Sequence, residues 1–166
     1  PYYHFDERVV NFVDYGPQNS RGFRALKVWL AMRQAGAAGY RACIREDISL
    51  AQAMATAIRA TPELELVTQH LSITTFRYRP PDLPAALDEA ATDSYLNALN
   101  KELLDRLQKG GRVFVSNAVV HGRYVLRACI VNFHTTMADV LAVPGLVVEE
   151  GRRIHAALSS RIAATS

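Results

Sequence analysis

The chain's 166 residues, 49% hydrophobic and 21% charged, suit one globular domain with an adequate core and exclude a disordered or fibrous composition. A net charge of +3 and a pI near 9.1 argue only weakly for a nucleic-acid partner; the arrangement of charge says more than its total. Cys43 and Cys129 lie far apart with no CxxC pair. That offers neither a zinc pattern nor a disulfide framework, suits a reducing compartment, and leads both to be expected as small buried apolar residues. No apolar run approaches the ~18 residues of a membrane span, and PYYHFDER lacks the basic-then-apolar plan of a signal peptide, so a soluble, cytoplasmic protein is expected.

The opening crowds Tyr2, Tyr3 and Phe5 beside Pro1, either as an N-terminal arm or because the chain begins inside a larger protein. Past Gly16-Pro17, Ser20 suits an N-cap, and Phe23, Leu26, Leu30 and Arg33 follow at helical spacing until Gly36 stops the helix. Tyr40, Ile44, Ile48, Ala51, Ala55 and Ile58 predict a second helix, ended by Thr61-Pro62. Leu64 to Val67 and Ile73 to Tyr78 read as strands, and Arg79-Pro80-Pro81 breaks what they form. Asp82 to Ala91 includes a linker, after which Leu96, Leu99, Leu103 and Leu107 mark a helix closed by Gly110-Gly111. Arg112 to Ser116 and Arg123 to Val131 read as further strands, with polar Asn117 and His121-Gly122 between them. Thr136 and Asp139 have capping-box spacing, and Pro144-Gly145 is expected to interrupt the pattern before a final helix with Leu146, Ile154, Leu158 and Ile162. Strands clustered in pairs favour an α+β layer: a small antiparallel sheet covered by helices.

Two stretches are basic and free of acids. Between Asp14 and Glu46 lie Arg21, Arg24, Lys27, Arg33, Arg41 and Arg45; from Arg106 to Ala138 lie Arg106, Lys109, Arg112, Arg123 and Arg127. Strand alternation sets Arg127 with Val125 and Cys129, opposite Leu126, Ala128 and Ile130. An arginine among apolar neighbours in mid-strand is costly to desolvate unless a carboxylate or phosphate meets its fork, so it joins either a structural ion pair or a ligand. Ser20 is likewise either a plain cap or, with Asn19 and Arg21, a phosphate-binding helix start. The five histidines show no HxxxH or HExxH spacing, which argues against metal, and there is no GxGxxG, Walker loop or GxSxG.

GPQNSRGFRALKVWLAMRQAG resembles the block that follows the catalytic lysine loop in pyridoxal-phosphate-dependent amino-acid decarboxylases, the aromatic amino acid and glutamate decarboxylase group. GRYVLRACIVNFHTTMADV is similar to that family's strand and helix near the C-terminus, and TTFRYRP looks like its "CFR" strand. The resemblance implies the C-terminal part of a fold-type-I homodimer with pyridoxal 5'-phosphate as cofactor and an L-amino acid as substrate. Residues 1–19 would be a catalytic-loop remnant and connector, and residues 20–166 the C-terminal α+β small domain. It implies that Ser20, beside Asn19, reaches the cofactor phosphate across the dimer interface and that Arg127 holds the substrate α-carboxylate. Tyr3, with Tyr2 as the neighbouring choice, would be the mobile-loop tyrosine that returns a proton after carbon dioxide leaves.

The family's cofactor-bearing lysine follows a histidine, whereas Lys27, Lys101 and Lys109 do not. The large domain that bears it is therefore expected outside this chain, and the chain alone is expected to be inactive. A non-catalytic interaction or assembly module that keeps the fold stands as the alternative; nucleic acid and membrane are not expected partners. The residues do not choose among aromatic, acidic and diamino acids.

Overall fold

A computed structural model describes Tyr15, residues 22–83 and residues 88–163, with side chains described as far as Leu158. The chain divides into two units, Pro1–Tyr40 and Arg41–Ser166. Helix α1, Arg24–Arg59, begins in the first and continues into the second, and its helical geometry is interrupted at Gly36 (φ 64°, ψ 173°). The expected stop is thus a single-residue break in the left-handed region that glycine tolerates, with helix resuming beyond it. Within the first unit Phe23, Val28, Trp29, Leu30 and Met32 are exposed, and the Arg33 guanidinium lies 5.6 Å from the centre of the Trp29 ring. In the second unit Leu50, Ala51, Met54, Ala55 and Ile58 are buried at helical spacing.

The second unit is built on a four-stranded antiparallel sheet in the order β1-β2-β4-β3. Its strands are β1, Leu64–His70; β2, Ile73–Tyr78; β3, Ser116–Val120; and β4, Arg123–Cys129. The β3–β4 hairpin turns on His121 (φ 50°) and Gly122 (φ 77°), the pair of positive φ values that a two-residue turn needs to follow strand twist. That turn also corrects the expected strand at Arg112 to Ser116. Pairing runs back from Val120↔Arg123 to Ser116↔Arg127, so the ladder begins where the predicted strand ends, and Asn117 lies within it rather than in the connection.

Two helices complete the unit: α2, Glu89–Gly110, and α3, Met137–Ala163. Asp88 caps α2 by accepting from the Ala91 N–H, and Gly111 closes it in the left-handed conformation. Helix therefore begins inside the segment expected as a linker; its residues 84–87 lie outside the described residues. The Thr136 capping box forms as expected, with Thr136 N and Oγ1 donating to Asp139 Oδ2 and Asp139 N donating to Thr136 Oγ1.

The expected break at Pro144-Gly145 does not occur, and α3 runs through it. Proline costs the helix one N–H bond, but Val140, Val143, Val147 and Val148 bury an apolar stripe on both sides of it, which holds the helix together. The core joins that stripe to Met54, Ile58, Phe76, Tyr78, Leu99, Leu103 and Leu126. Position 151 must be glycine here: a Cβ would lie 2.7 Å from the Tyr78 ring.

Candidate functional site

The core face of β4 carries Leu126, Ala128 and Ile130, all buried, as alternation predicts. The opposite face carries Arg127 at mid-strand, half-buried, between Thr75 of β2 and Ser116 of β3. Ser116 Oγ donates to the Arg127 carbonyl oxygen at 3.2 Å, tying the edge strand to the arginine's backbone. No acid pairs with the Arg127 side chain among the described residues.

The other four cations of that run differ. Arg106 meets Glu102 and Glu150, Lys109 meets Asp105, Arg112 meets Glu149, and Arg123 meets Glu65, Asp93 and Glu89. An acid-free stretch of sequence is therefore not acid-free in space, except around Arg127. Of the alternatives open at that residue, the structural ion pair is not formed among the described residues.

The structural pair belongs instead to Arg77, two residues along β2 from Thr75 and only 1% exposed. Its Nε donates to Glu65 Oε2 at 2.8 Å and its Nη1 to Asp93 Oδ1 at 2.7 Å. Burial pulls the guanidinium's pKa down, but its hydrogen bonds to Glu65 and Asp93, together with their negative charge, outweigh that and raise it above its ordinary value. The Arg77 hydrogen bond, with help from Arg123, holds the Asp93 carboxyl below the usual range.

This network sits where β2 and β4 separate beyond Phe76↔Leu126, and a polar row on α2 fills the gap. Asn100 Oδ1 accepts from Tyr78 N at 2.8 Å, and Nδ2 donates to Tyr78 O and Leu96 O, both at 2.9 Å. One turn earlier, Asn97 Oδ1 accepts from Tyr124 N at 2.7 Å and Nδ2 donates to Gly122 O. Asn97 and Asn100 thus do the work of missing strand hydrogen bonds, while Asp93, one turn earlier still, holds the Arg77 and Arg123 side chains. In sequence their spacing is indistinguishable from a solvated helix face, and nothing local marks Asn100 as buried.

Two further features escaped the sequence. His155 of α3 joins Tyr95 Oη (2.6 Å, to Nδ1) and Asp82 Oδ1 (3.0 Å, to Nε2), beside a cavity of about 630 Å³ that Glu63 and Arg152 also line. Tyr78, at the same cavity, has its phenol pushed up to about 12, chiefly by burial. The expectation for the cysteines is corrected: Cys43 and Cys129 are both free and exposed, because β4 ends at Cys129 and the apolar face of α1 that is buried begins only at Leu50. Tyr3, Asn19 and Ser20 lie outside the described residues. No cluster of metal ligands and no helix long and apolar enough to cross a membrane occurs among the described residues.

The pyridoxal-dependent decarboxylase conserved domain matches residues 2–79. Aromatic-L-amino-acid decarboxylase of Bacillus atrophaeus is 35% identical over 138 residues, 82% of this chain and 27% of that protein. The chain belongs with the pyridoxal-dependent decarboxylases. Tyrosine decarboxylase 2 of Arabidopsis thaliana is 31% identical over 75% of this chain and 22% of its own length. The crystal structure of Oryza sativa TDC with PLP and tryptamine superposes with a TM-score of 0.69 at 29% identity, covering 85% of this chain and 29% of that one. Mouse CSAD in its apo form, at 21% identity and a TM-score of 0.74, shares the fold over 91% of this chain and 32% of its own. The chain spans about a quarter of the length of the curated decarboxylase relatives it matches.

Proposed function

We propose that this chain is the C-terminal part of a decarboxylase that converts an L-amino acid to an amine and carbon dioxide, with Arg127 holding the substrate α-carboxylate. The observation that carries the reading is the half-buried Arg127 fork, which has no acid partner among the described residues, in a chain of this family. A planar guanidinium fixes the direction of a carboxylate as well as its charge, and the bond to be broken has to be oriented.

Pyridoxal phosphate fits the donor set on the other side of the reaction. Asn19 and Ser20 bring an amide and a hydroxyl, and no acid occurs from Tyr15 to Arg45, which suits a phosphate dianion. When bound, that cofactor supplies the electron sink for loss of carbon dioxide. In this reading Ser20 and Asn19 hold its phosphate across a homodimer interface and Tyr3 delivers the proton. Residues 1–19 are then the catalytic-loop remnant and connector, and residues 20–166 the small domain. A large domain supplies the lysine, and the enzyme works in the cytoplasm. The relatives named as aromatic-L-amino-acid, tyrosine and tryptophan decarboxylases favour an aromatic L-amino acid.

A relative named phenylacetaldehyde synthase, 34% identical over 75% of this chain, favours a second reading in which decarboxylation is coupled to oxidation. Tyrosine at position 3 supports the simple reaction. Incubating the complete native enzyme with L-tyrosine, L-tryptophan and L-phenylalanine, and measuring gas and organic products, tests both. Equal amounts of amine and carbon dioxide support the first; an aldehyde supports the second; neither product from any amino acid overturns both. The chain of 166 residues alone is expected to form no stoichiometric borohydride-trappable adduct with pyridoxal phosphate, because none of Lys27, Lys101 and Lys109 follows a histidine.

A further inference from the structure

Across the sheet face that carries Arg127, one transverse row is polar from edge to edge: Thr68 of β1, Thr75 of β2, Arg127 of β4 and Ser116 of β3, each the ladder partner of the next. The row exists because of a bulge. Register shifts between Leu66 and Thr68, which brings Thr68 opposite Thr75. At that irregularity Thr68 N donates to Thr75 Oγ1 at 3.0 Å, and the two hydroxyl oxygens stand 2.6 Å apart.

The proton count on this row is informative. Ser116 uses its hydroxyl proton on the Arg127 carbonyl. Thr68 and Thr75 have two hydroxyl protons and share one hydrogen bond between their oxygens, so one proton is left over, with no acceptor for it among the described residues. Thr75 is 4% exposed, so bulk water is a poor substitute. Either hydroxyl can donate the shared bond: if Thr68 donates, Thr75 Oγ1 accepts twice and keeps its own proton free, and if Thr75 donates, the free proton is on Thr68, so in both cases the pair has one proton to give. Directly opposite side chains in an antiparallel pair have Cβ atoms roughly 5 Å apart, within reach of one anion held between them.

We propose that the Thr68–Thr75 hydroxyl pair is a second, neutral donor to the anion that Arg127 binds, making the site a one-cation, one-hydroxyl cradle selective for a carboxylate. This rests on the assignment of Arg127 to the substrate carboxylate. Arg127 gives the carboxylate a two-pronged contact, and a carboxylate oxygen retains lone pairs for a further donor. The pair is already ordered by the bulge, so the added hydrogen bond requires little further ordering.

The test uses the complete enzyme and 3-phenylpropanoate as a carboxylate probe, with 2-phenylethylamine as a probe that lacks the carboxylate, titrated by calorimetry. Thr75→Val should weaken 3-phenylpropanoate roughly tenfold and leave 2-phenylethylamine within twofold, and Thr75→Ser should restore the carboxylate affinity. If Thr75→Val fails to fold by circular dichroism, Thr68→Val/Thr75→Val replaces the pair by two shape-matched apolar residues and should show the same selective loss. Unchanged 3-phenylpropanoate affinity in a folded hydroxyl-free variant, with Arg127→Met binding it at least tenfold more weakly, overturns this inference and leaves the Arg127 assignment standing. Unchanged affinity in Arg127→Met overturns both.

Discussion

Arg77 and Arg127 occupy the same face of one sheet, on neighbouring strands and two register positions apart, yet they keep opposite company. Arg77 is enclosed by Glu65 and Asp93 where α2 enters between β2 and β4. Arg127 is flanked by hydroxyls, and no acid reaches it among the described residues. The difference teaches that burial alone does not set an arginine aside for a ligand, since the more buried of the two is the one that the fold already pairs with acids. What distinguishes them is whether the fold has already supplied the anion.

The sharpest way to break this contrast is to truncate each arginine. Arg77→Met leaves Glu65 and Asp93 with only the more exposed Arg123 between them, and should cost the folded protein about 3 kcal/mol, read by urea unfolding. Arg127→Met should change unfolding free energy by less than about 1 kcal/mol. In the complete enzyme it should instead lower kcat/KM by roughly a hundredfold, about 2.7 kcal/mol, and Arg127→Lys by about tenfold. A destabilised Arg127→Met enzyme with near-normal kcat/KM would remove the distinction altogether.

A milder probe is acid. The Asp93 carboxyl is held below its ordinary value of 3.8, so its contribution to stability is fully present above that value and is lost as pH falls through the lower folded-state value. Melting temperature should therefore fall more steeply below about pH 4 in the parent than in Asp93→Asn, with the two curves converging. Parallel curves would mean that Arg77 is not held by that charge. The smallest effect sets the scale for a local loss that involves neither arginine's partners: Thr136→Ala should cost about 1 kcal/mol through its capping box and leave kcat/KM unchanged.

The features legible in the sequence are those decided by near neighbours. The His121-Gly122 hairpin, the Gly111 helix stop and the Thr136–Asp139 cap each depend on a few adjacent residues. The side of β4 on which Arg127 lies followed from alternation alone. What could not be read are pairings closed by the fold. Glu65 and Asp93 stand 12 and 16 positions from Arg77, and Glu149 stands 37 from Arg112, so no local charge pattern announces them. Pro144 misled for a related reason: its local penalty was visible, whereas the core burial that offsets it was not. The family resemblance carried what neither periodicity nor spacing could, and Arg127 is where it meets the described structure.

The side chain of Asn100 substitutes for a strand at both polar groups of the Tyr78 backbone. This couples the sheet's completion to a helix that lies 22 residues further along the chain. Closing β2 onto β4 at that end cannot precede the docking of α2, so the pairing of these two strands and helix docking should be one kinetic event rather than two. Hydrogen exchange should register the same dependence: the Tyr78 amide, shielded by an asparagine rather than by a carbonyl, should exchange together with the amides of α2, while neighbouring Phe76 follows the opening of the sheet.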